Sequence, residues 1–150
     1  MLDTVIMGNK VLWDAMQEKE RLLEGEMTDE VGMRLAELEG VIAEEDGYMA
    51  ESRAGEMLEG VGIATEQHLE NMSALASGWK PRVLAAQCLF AGADILILDE
   101  PTNHLDLDSI RWLENYLVND FRGTLLVVSH DRHFHASDSR RTSLTSTFRP

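Results

Sequence analysis

Two adjacent carboxylates, Asp99 and Glu100, carry the clearest chemical meaning in this chain. They follow the apolar run 95–98, whose lack of alternation predicts a strand covered on both faces, as in the middle of a parallel sheet. Consecutive strand positions direct the two side chains to opposite sides of the backbone, so one can face a metal ion and the other a water molecule. Phosphoryl transfer needs that pair of roles. The alternative is a pair of turn or helix-capping carboxylates after a strand.

The elements that must position the two carboxylates form a strand–helix–strand unit. A helix is predicted at 109–118, a turn at Arg122 and Gly123, and a second buried strand at 124–129 that ends at His130. Strands joined through a helix run parallel. Asp99, Glu100 and His130 are therefore expected at the same carboxyl edge of the sheet, where open α/β sheets bind their ligands.

A helix is also predicted before the first strand. Gly78 is followed by Pro81, and a proline costs little in the first turn because the N–H groups there have no intrahelical partner. The stripe Trp79, Val83, Ala86 and Phe90 predicts the face that this helix buries. Ala91–Gly92–Ala93 ends the helix before the strand.

The preceding part of the chain is predicted to be helical throughout. Helices are expected at 9–24, at 28–45 and up to about residue 59, with breaks at Gly25, at Asp46–Gly47 and at 60–62. Short connections favour antiparallel neighbours. We therefore divide the chain into a helical unit at 1–72, a helix and sheet unit at 73–135, and a segment at 136–150 that is rich in Ser and Thr and is predicted to be disordered.

The net charge of the chain is −14, and it is concentrated in the helical unit. Residues 14–70 hold 17 acidic and 4 basic side chains, a net charge of −13. An acidic surface repels phosphodiester backbones, so a nucleic-acid-binding face on 14–70 is not expected. The acidic face is either a solvated helical surface or a docking site for a basic protein.

The length and composition predict a globular protein without a membrane segment. Hydrophobic residues make up 44% and charged residues 27% of the 150 residues, and the apolar runs are far shorter than the roughly 20 residues that span a bilayer. No secretory signal is recognised at the start of the sequence. The single cysteine, Cys88, lies among apolar residues and is expected to be buried, which fits a reducing cytoplasm.

The string 95–106, Ile-Leu-Ile-Leu-Asp-Glu-Pro-Thr-Asn-His-Leu-Asp, resembles the Walker B motif, catalytic glutamate and D-loop of the ATP-binding cassette ATPases. The wording Glu-Pro-Thr-Asn-His-Leu-Asp is typical of the ABC-F branch. The segment 127–134 is similar to the switch-histidine segment of the same family, in the expected order. The resemblance extends over about residues 1–134, and the wording at 51–56 and 78–80 is similar to the YbiT-like group, in the first of its two cassettes.

The resemblance implies a role for each matching residue. Asp99 would hold Mg²⁺ through water, Glu100 would polarise the attacking water, and His130 would sense the γ-phosphate. Asp106 would contribute to the contact between paired cassettes. ATP and Mg²⁺ are therefore the implied cofactors, and a second cassette is the implied partner.

The segment 75–80, Leu-Ala-Ser-Gly-Trp-Lys, stands where the family has its Leu-Ser-Gly-Gly-Gln signature. Ala76 replaces the serine hydroxyl and Ser77 replaces the first glycine, whereas Gly78 and the start of a helix remain. The free N–H groups of a helix N-terminus bind phosphate. Ser77 and Gly78 are therefore expected to contact the nucleotide that the opposite cassette holds.

No Gly-x-x-x-x-Gly-Lys-Ser/Thr string occurs in the 150 residues, so the loop that cradles the phosphates in this family is not encoded in them. We expect the chain to begin just past the family's glutamine loop, and residues 136–150 to be an out-of-frame tail or a native disordered tail. The predicted fold class is α/β, a partial P-loop NTPase fold in which an acidic helical subdomain precedes a βαβ piece of the core sheet.

Three functions remain open on the sequence alone. The chain is part of an ABC-F ATPase that acts on ribosomes, or of the nucleotide-binding subunit of an ABC transporter, or it is a non-catalytic helical interaction fragment. The isolated chain is expected not to bind ATP more tightly than roughly millimolar, because it lacks the phosphate cradle.

Overall fold

The computed structural model describes residues 1–129, in which six helices precede, separate or flank two strands. The helices are α1 (Leu2–Ile6), α2 (Lys10–Leu23), α3 (Asp29–Glu44), α4 (Ala50–Gly60), α5 (Lys80–Phe90) and α6 (Leu107–Asn119), and the strands are β1 (Ile95–Asp99) and β2 (Thr124–Val128). Short 3₁₀ turns lie at Gly47–Met49, Thr65–Gln67 and Met72–Ala74. The segment predicted to be disordered, 136–150, lies outside the described residues, as does the end of the unit predicted at 73–135.

Helices α2 and α3 form an antiparallel hairpin. Each begins at a capping side chain: Asn9 accepts a hydrogen bond from the backbone of α2, and Thr28 from the backbone of α3. Arg34 of α3 pairs with Glu18 of α2 at 2.7 Å, and the side chain of Asn9 donates to Glu45 past the end of α3. The start of one helix therefore lies beside the end of the other.

A single apolar core joins the helices to the sheet. Helix α5 packs against α1 and α4, which also pack against each other. The residues with no measurable exposure come from all of these helices and α2: Val5, Leu12, Ala50, Ala54, Leu58, Val83 and Ala86. The boundary at 72–73 stays a prediction, because the helix that follows it belongs to the same core as the helices before it.

Strands β1 and β2 are parallel and are joined through α6, as the sequence predicts. Leu96 pairs with Leu125 and Asp99 with Val128. Leu96 and Leu125 are buried, together with Leu113 and Leu117 of α6. The α/β fold class and the parallel βαβ unit are confirmed.

The expectation that β1 is covered on both faces is wrong for the described part of the chain. Ile95 and Ile97 are each 64% exposed, whereas Leu96 between them is 6% exposed. Successive side chains of a strand point to opposite faces, and the core contacts only the face that carries Leu96. We call the face that carries Ile95 and Ile97 the open face of β1.

Cys88 is exposed, so the expectation that it is buried is also wrong. Val83, Ala86, Leu89 and Phe90 turn towards the core, and Cys88 lies on another side of α5. Apolar neighbours in sequence do not bury a helical residue, because successive positions are about 100° apart around the axis. No helix among residues 1–129 is long and apolar enough to cross a membrane.

Candidate functional site

The carboxyl ends of β1 and β2 lie side by side, and the predicted chemical residues begin there. Asp99, the last residue of β1, is exposed and lies opposite Val128 in the register. The backbone N–H of Glu100 donates to the carbonyl oxygen of Val128 at 2.7 Å. His130 is two residues beyond Val128 and lies outside the described residues, so its predicted position at this edge is not tested.

Glu100 is not a strand residue, which corrects the expectation that it occupies the next position of β1. Its backbone has φ +47, a left-handed conformation that is uncommon for a residue with a side chain. The chain reverses here in a turn in which the N–H of Asn103 donates to the carbonyl oxygen of Glu100 at 3.2 Å. The separation of the two carboxylates therefore depends on this turn, and strand alternation does not set it.

Asp99 and Glu100 line a groove of about 270 Å³. Its walls are largely apolar and come from α5, from β1 and from the segment after β1; they include Pro81, Leu84, Ala85, Cys88, Ile97, Leu98, Pro101, His104 and Leu105. Glu100 is half-buried and Asp99 is exposed. An apolar wall beside a carboxylate lowers the local dielectric constant and strengthens its interactions with any charged group that enters.

Asp106 caps the N-terminus of α6. Its Oδ1 accepts a hydrogen bond from the backbone N–H of Ser109 at 2.9 Å, and its Oδ2 accepts one from Nη1 of Arg82 at 2.9 Å. The backbone donor first, and the guanidinium second, lower the pKa of Asp106 from 3.8 to about 2. Both carboxylate oxygens thus have partners inside the chain.

Arg82 is the residue near the site that the sequence analysis missed. It lies in the first turn of α5, where the helix dipole disfavours a positive charge. A cation at that position needs a carboxylate from another segment as its partner. A basic residue in the first turn of a predicted helix is therefore the sequence signal that could have pointed to Arg82. Its side chain is 12% exposed.

Ser77 and Gly78 are exposed in a turn directly before α5, and their role as a signature segment stays a prediction. The N–H of Trp79 donates to the carbonyl oxygen of Ala76 at 3.0 Å within this turn. No side chain caps α5, and a Cβ built at Gly78 would meet no atom of residues 1–129 within 4 Å. The turn is therefore open to solvent at the position where the resemblance expects a phosphate.

The structure brings the predicted residues together in two groups. Asp99 and Glu100 share the groove, and Asp106 is linked through Arg82 to the helix that begins after Ser77 and Gly78. Within residues 1–129, no three His, Cys, Asp or Glu side chains are close enough to bind a metal ion by themselves.

Comparison with known proteins identifies the family. The model of the ABC transporter family matches residues 6–103. The chain is 58% identical over 135 residues to a probable ATP-binding protein, YbiT, of Escherichia coli O157:H7, and 51% identical over 135 residues to an uncharacterized ABC transporter ATP-binding protein, YkpA, of Bacillus subtilis. It is 36% identical over 144 residues to ABC transporter F family member 4 of Arabidopsis thaliana.

Each of these alignments covers 89% of this chain, but only 25%, 25% and 20% of the respective relative. The chain thus spans about a quarter of the length of the curated relatives that it matches. The family match contains helices α2 to α5, the turn at Ser77 and Gly78, and the two carboxylates of the groove. The chain therefore belongs to the ABC transporter family, where its relatives are ATP-binding proteins of the ABC-F type.

Proposed function

We propose that these residues form the metal-and-water end of an ATPase site in an ABC-F cassette, and that the complete cassette hydrolyses ATP. The observation that carries the proposal is the placement of Asp99 and Glu100 at the carboxyl edge of a parallel βαβ unit, with Glu100 in a left-handed turn beside the end of β2. Such backbone conformations cost about 1–3 kcal/mol and concentrate at functional sites.

The residues present fit ATP and Mg²⁺ in part. Asp99 is an exposed carboxylate, and oxygen is the ligand that Mg²⁺ takes in proteins, often through water. The bound ion would neutralise charge on the phosphates. The backbone cradle that a P-loop supplies has no counterpart in the sequence of these 150 residues. This chain thus provides the carboxylates, and the phosphate grip must come from other residues.

Each residue has a distinct task in the proposed site. Asp99 would hold the water shell of the ion, and Glu100 would accept a hydrogen bond from the attacking water and so orient it. His130 would contact the γ-phosphate. Ser77 and Gly78 present backbone N–H groups to the nucleotide of a second cassette, and Asp106 lies at the contact between the two cassettes.

The isolated chain is proposed not to bind ATP more tightly than roughly millimolar, because the successive N–H groups and the lysine of a P-loop supply most of the electrostatic attraction for the phosphates. Isothermal titration of the 150-residue chain with Mg·ATP measures this directly. Micromolar affinity would refute the assignment of the phosphate grip to other residues. No binding is also what a non-catalytic helical fragment predicts, so a second experiment must separate the two.

The second experiment joins this chain to the P-loop-bearing half of an ATP-binding cassette and measures ATP turnover. Glu100→Gln removes the charge that orients the water and is expected to lower kcat by 10²-fold or more. The matched control is Asp94→Asn, which removes a carboxylate immediately before the opposite end of β1 and should leave turnover unchanged. Equal turnover in the Glu100→Gln protein and its parent would refute the catalytic role.

We further propose that the parent protein is cytoplasmic and acts on ribosomes. The support is similarity to relatives of the ABC-F type and the ABC-F wording of the string 100–106. The competing function is the energising subunit of a transporter, which the name of the relative from B. subtilis favours. Sucrose-gradient fractionation of the full-length parent distinguishes them: co-sedimentation with ribosomes supports the first, and recovery with membranes supports the second.

A further inference from the structure

The guanidinium group of Arg82 connects three segments that are distant in sequence. Its Nη1 donates to the carbonyl oxygen of Val61 at 3.1 Å and to Oδ2 of Asp106 at 2.9 Å. Its Cζ lies 4.5 Å from the ring centroid of Trp79, a cation–π contact. The side chain thus touches the end of α4, the start of α6 and the turn that precedes α5.

The backbone of the loop after α4 lies unusually close to this guanidinium group. Gly62 has φ +86, and a Cβ built there would lie 2.5 Å from Nη1 of Arg82 and 2.9 Å from Oγ of Ser109. Only glycine combines this backbone conformation with that approach. The loop after α4 is therefore shaped to the Arg82–Asp106 pair.

The charges around Asp106 also show what Arg82 does. Glu56 and Glu59 of α4 and Asp108 of α6 line the same pocket, of about 650 Å³, as Asp106. Like charges disfavour the ionised form of a carboxyl group. Asp106 nevertheless has a pKa lowered to about 2, because the backbone N–H of Ser109 and the guanidinium of Arg82 stabilise its charge.

We propose that Arg82 is a positioning residue that fixes the D-loop carboxylate Asp106 to the turn 77–79, so that these two loops respond as one unit. The link runs from Asp106 through the guanidinium to the ring of Trp79, which directly follows Gly78. This inference rests on the proposed function only in giving the two loops a common task at the contact between cassettes. The link itself is a property of this chain.

The first test is an NMR titration of the Asp106 carboxyl carbon in the 150-residue chain. Replacement Arg82→Gln should raise the pKa of Asp106 by about one unit, since the charged partner is lost and the Ser109 donor remains. Arg82→Lys keeps the charge and should restore part of the shift. The matched control is Arg111→Gln, because Arg111 lies 3.8 Å from the exposed Asp108 of the same helix. This replacement should leave the pKa of Asp106 unchanged.

The second test asks whether the two loops are coupled. Asp106→Asn should shift the backbone amide signals of Ser77, Gly78 and Trp79 in the chain with Arg82, and should no longer shift them in the Arg82→Gln background. Shifts confined to 105–110 in both backgrounds would overturn the proposal, as would an unchanged pKa of Asp106 in the Arg82→Gln chain.

Should Arg82→Gln fail to fold, the same two measurements on Arg82→Lys decide the matter. A lysine ammonium cannot donate to Val61 and Asp106 with the fixed geometry of a guanidinium. If Asp106→Asn shifts the amide signals of Ser77 and Gly78 as much in the lysine variant as in the chain with Arg82, the proposal is overturned. Smaller shifts support it. Neither measurement uses a nucleotide, so this inference can fail while the ATPase proposal stands, and the reverse.

Discussion

The helical layer and the two-stranded sheet contain similar apolar side chains but bury them to different extents. In the layer formed by α1, α4 and α5, residues such as Val5, Leu58 and Val83 have no measurable exposure. In the sheet, Leu96 is 6% exposed, whereas its neighbours Ile95 and Ile97 are each 64% exposed. The difference is one of geometry and not of composition.

A helix places its apolar residues on one stripe, so one layer of neighbouring helices is enough to cover them. A strand of a parallel sheet places them on two faces, and each face needs its own cover. Within residues 1–129 the helices cover one face of β1 and leave the other exposed, and Ile97 of that open face lines the groove that also contains Asp99 and Glu100. The region with the candidate chemistry is therefore the one that is less closed.

The largest expected effect breaks the closed region. Leu58→Ala should lower the free energy of unfolding by about 3 kcal/mol, because it removes a fully buried side chain and leaves a cavity. Ile97→Ala, on the open face of β1, should change it by less than about 0.5 kcal/mol. Urea denaturation of both variants measures the contrast, and equal losses would show that the open face of β1 is covered in solution.

The second prediction concerns the seam between the two regions. A Cβ at Gly60, the last residue of α4, would overlap the ring of Trp112 in α6. Gly60→Ala should therefore cost about 2 kcal/mol of stability, through displacement of that ring. The control is Gly40→Ala in α3, where nothing lies within 4 Å; it should stabilise the chain by about 0.5–1 kcal/mol. A Tm that shifts in the same direction in both variants would contradict the close contact between Gly60 and Trp112.

The third prediction is a pH dependence that arises at the start of α6. The pKa of Asp106 is about 2 in the folded chain and 3.8 as its ordinary value, so its stabilisation is complete above pH 3.8 and is lost as the pH falls through 2. Asp106 is 55% exposed, and solvent screening reduces the expected loss to about 1 kcal/mol.

Urea denaturation at several pH values between 2 and 6 checks this dependence. Between pH 6 and pH 2 the free energy of unfolding should fall by about 1 kcal/mol less in Asp106→Asn than in the unmodified chain. Asp108→Asn removes a carboxylate whose side chain is 96% exposed, and it should leave the loss of stability at acid pH unchanged. An equal loss of stability at acid pH in the Asp106→Asn chain and the unmodified chain would contradict the assignment of this pH dependence to Asp106.

The smallest effect is expected at the surface of the α2–α3 hairpin. Arg34 pairs with Glu18 at 2.7 Å and with Glu37 at 2.9 Å, and these contacts raise the pKa of Arg34 and lower that of Glu18. Both groups are solvated, so Arg34→Gln should lower Tm only slightly, and the difference should vanish in about 1 M salt. Arg111→Gln, at a longer ion pair of 3.8 Å, is the control for loss of one surface charge. A difference that persists at high salt would show that packing, and not charge, joins the two helices.

Much of the fold follows from local pattern. The helices predicted at 9–24 and 28–45 and the place of Pro81 in the first turn of α5 depend on signals that act over one or two helical turns, and the structure has all three features. The parallel βαβ unit follows from two apolar runs separated by a helix. Helix α1 was not predicted, because five residues are too few to show a period.

The candidate site was only partly predictable. The motif wording singled out Asp99, Glu100 and Asp106, and their places at the end of β1 and at the start of α6 follow from chain order. The left-handed backbone of Glu100 was not predictable, because it depends on how the turn closes against β2. The exposure of Cys88 was also missed, since the helix rotation that decides it is set by packing against α1 and α4.

The sequence by itself determined the elements, their order and the residues able to do chemistry, because propensity, capping and hydrophobic period act between neighbours along the chain. Tertiary structure alone decided the rest. Arg82 and Asp106 are 24 positions apart, and only the packing of α5 and α6 brings their charges within 2.9 Å. The open face of β1 has the same origin: whether an apolar side chain is buried depends on which other surfaces reach it, and no local pattern contains that information.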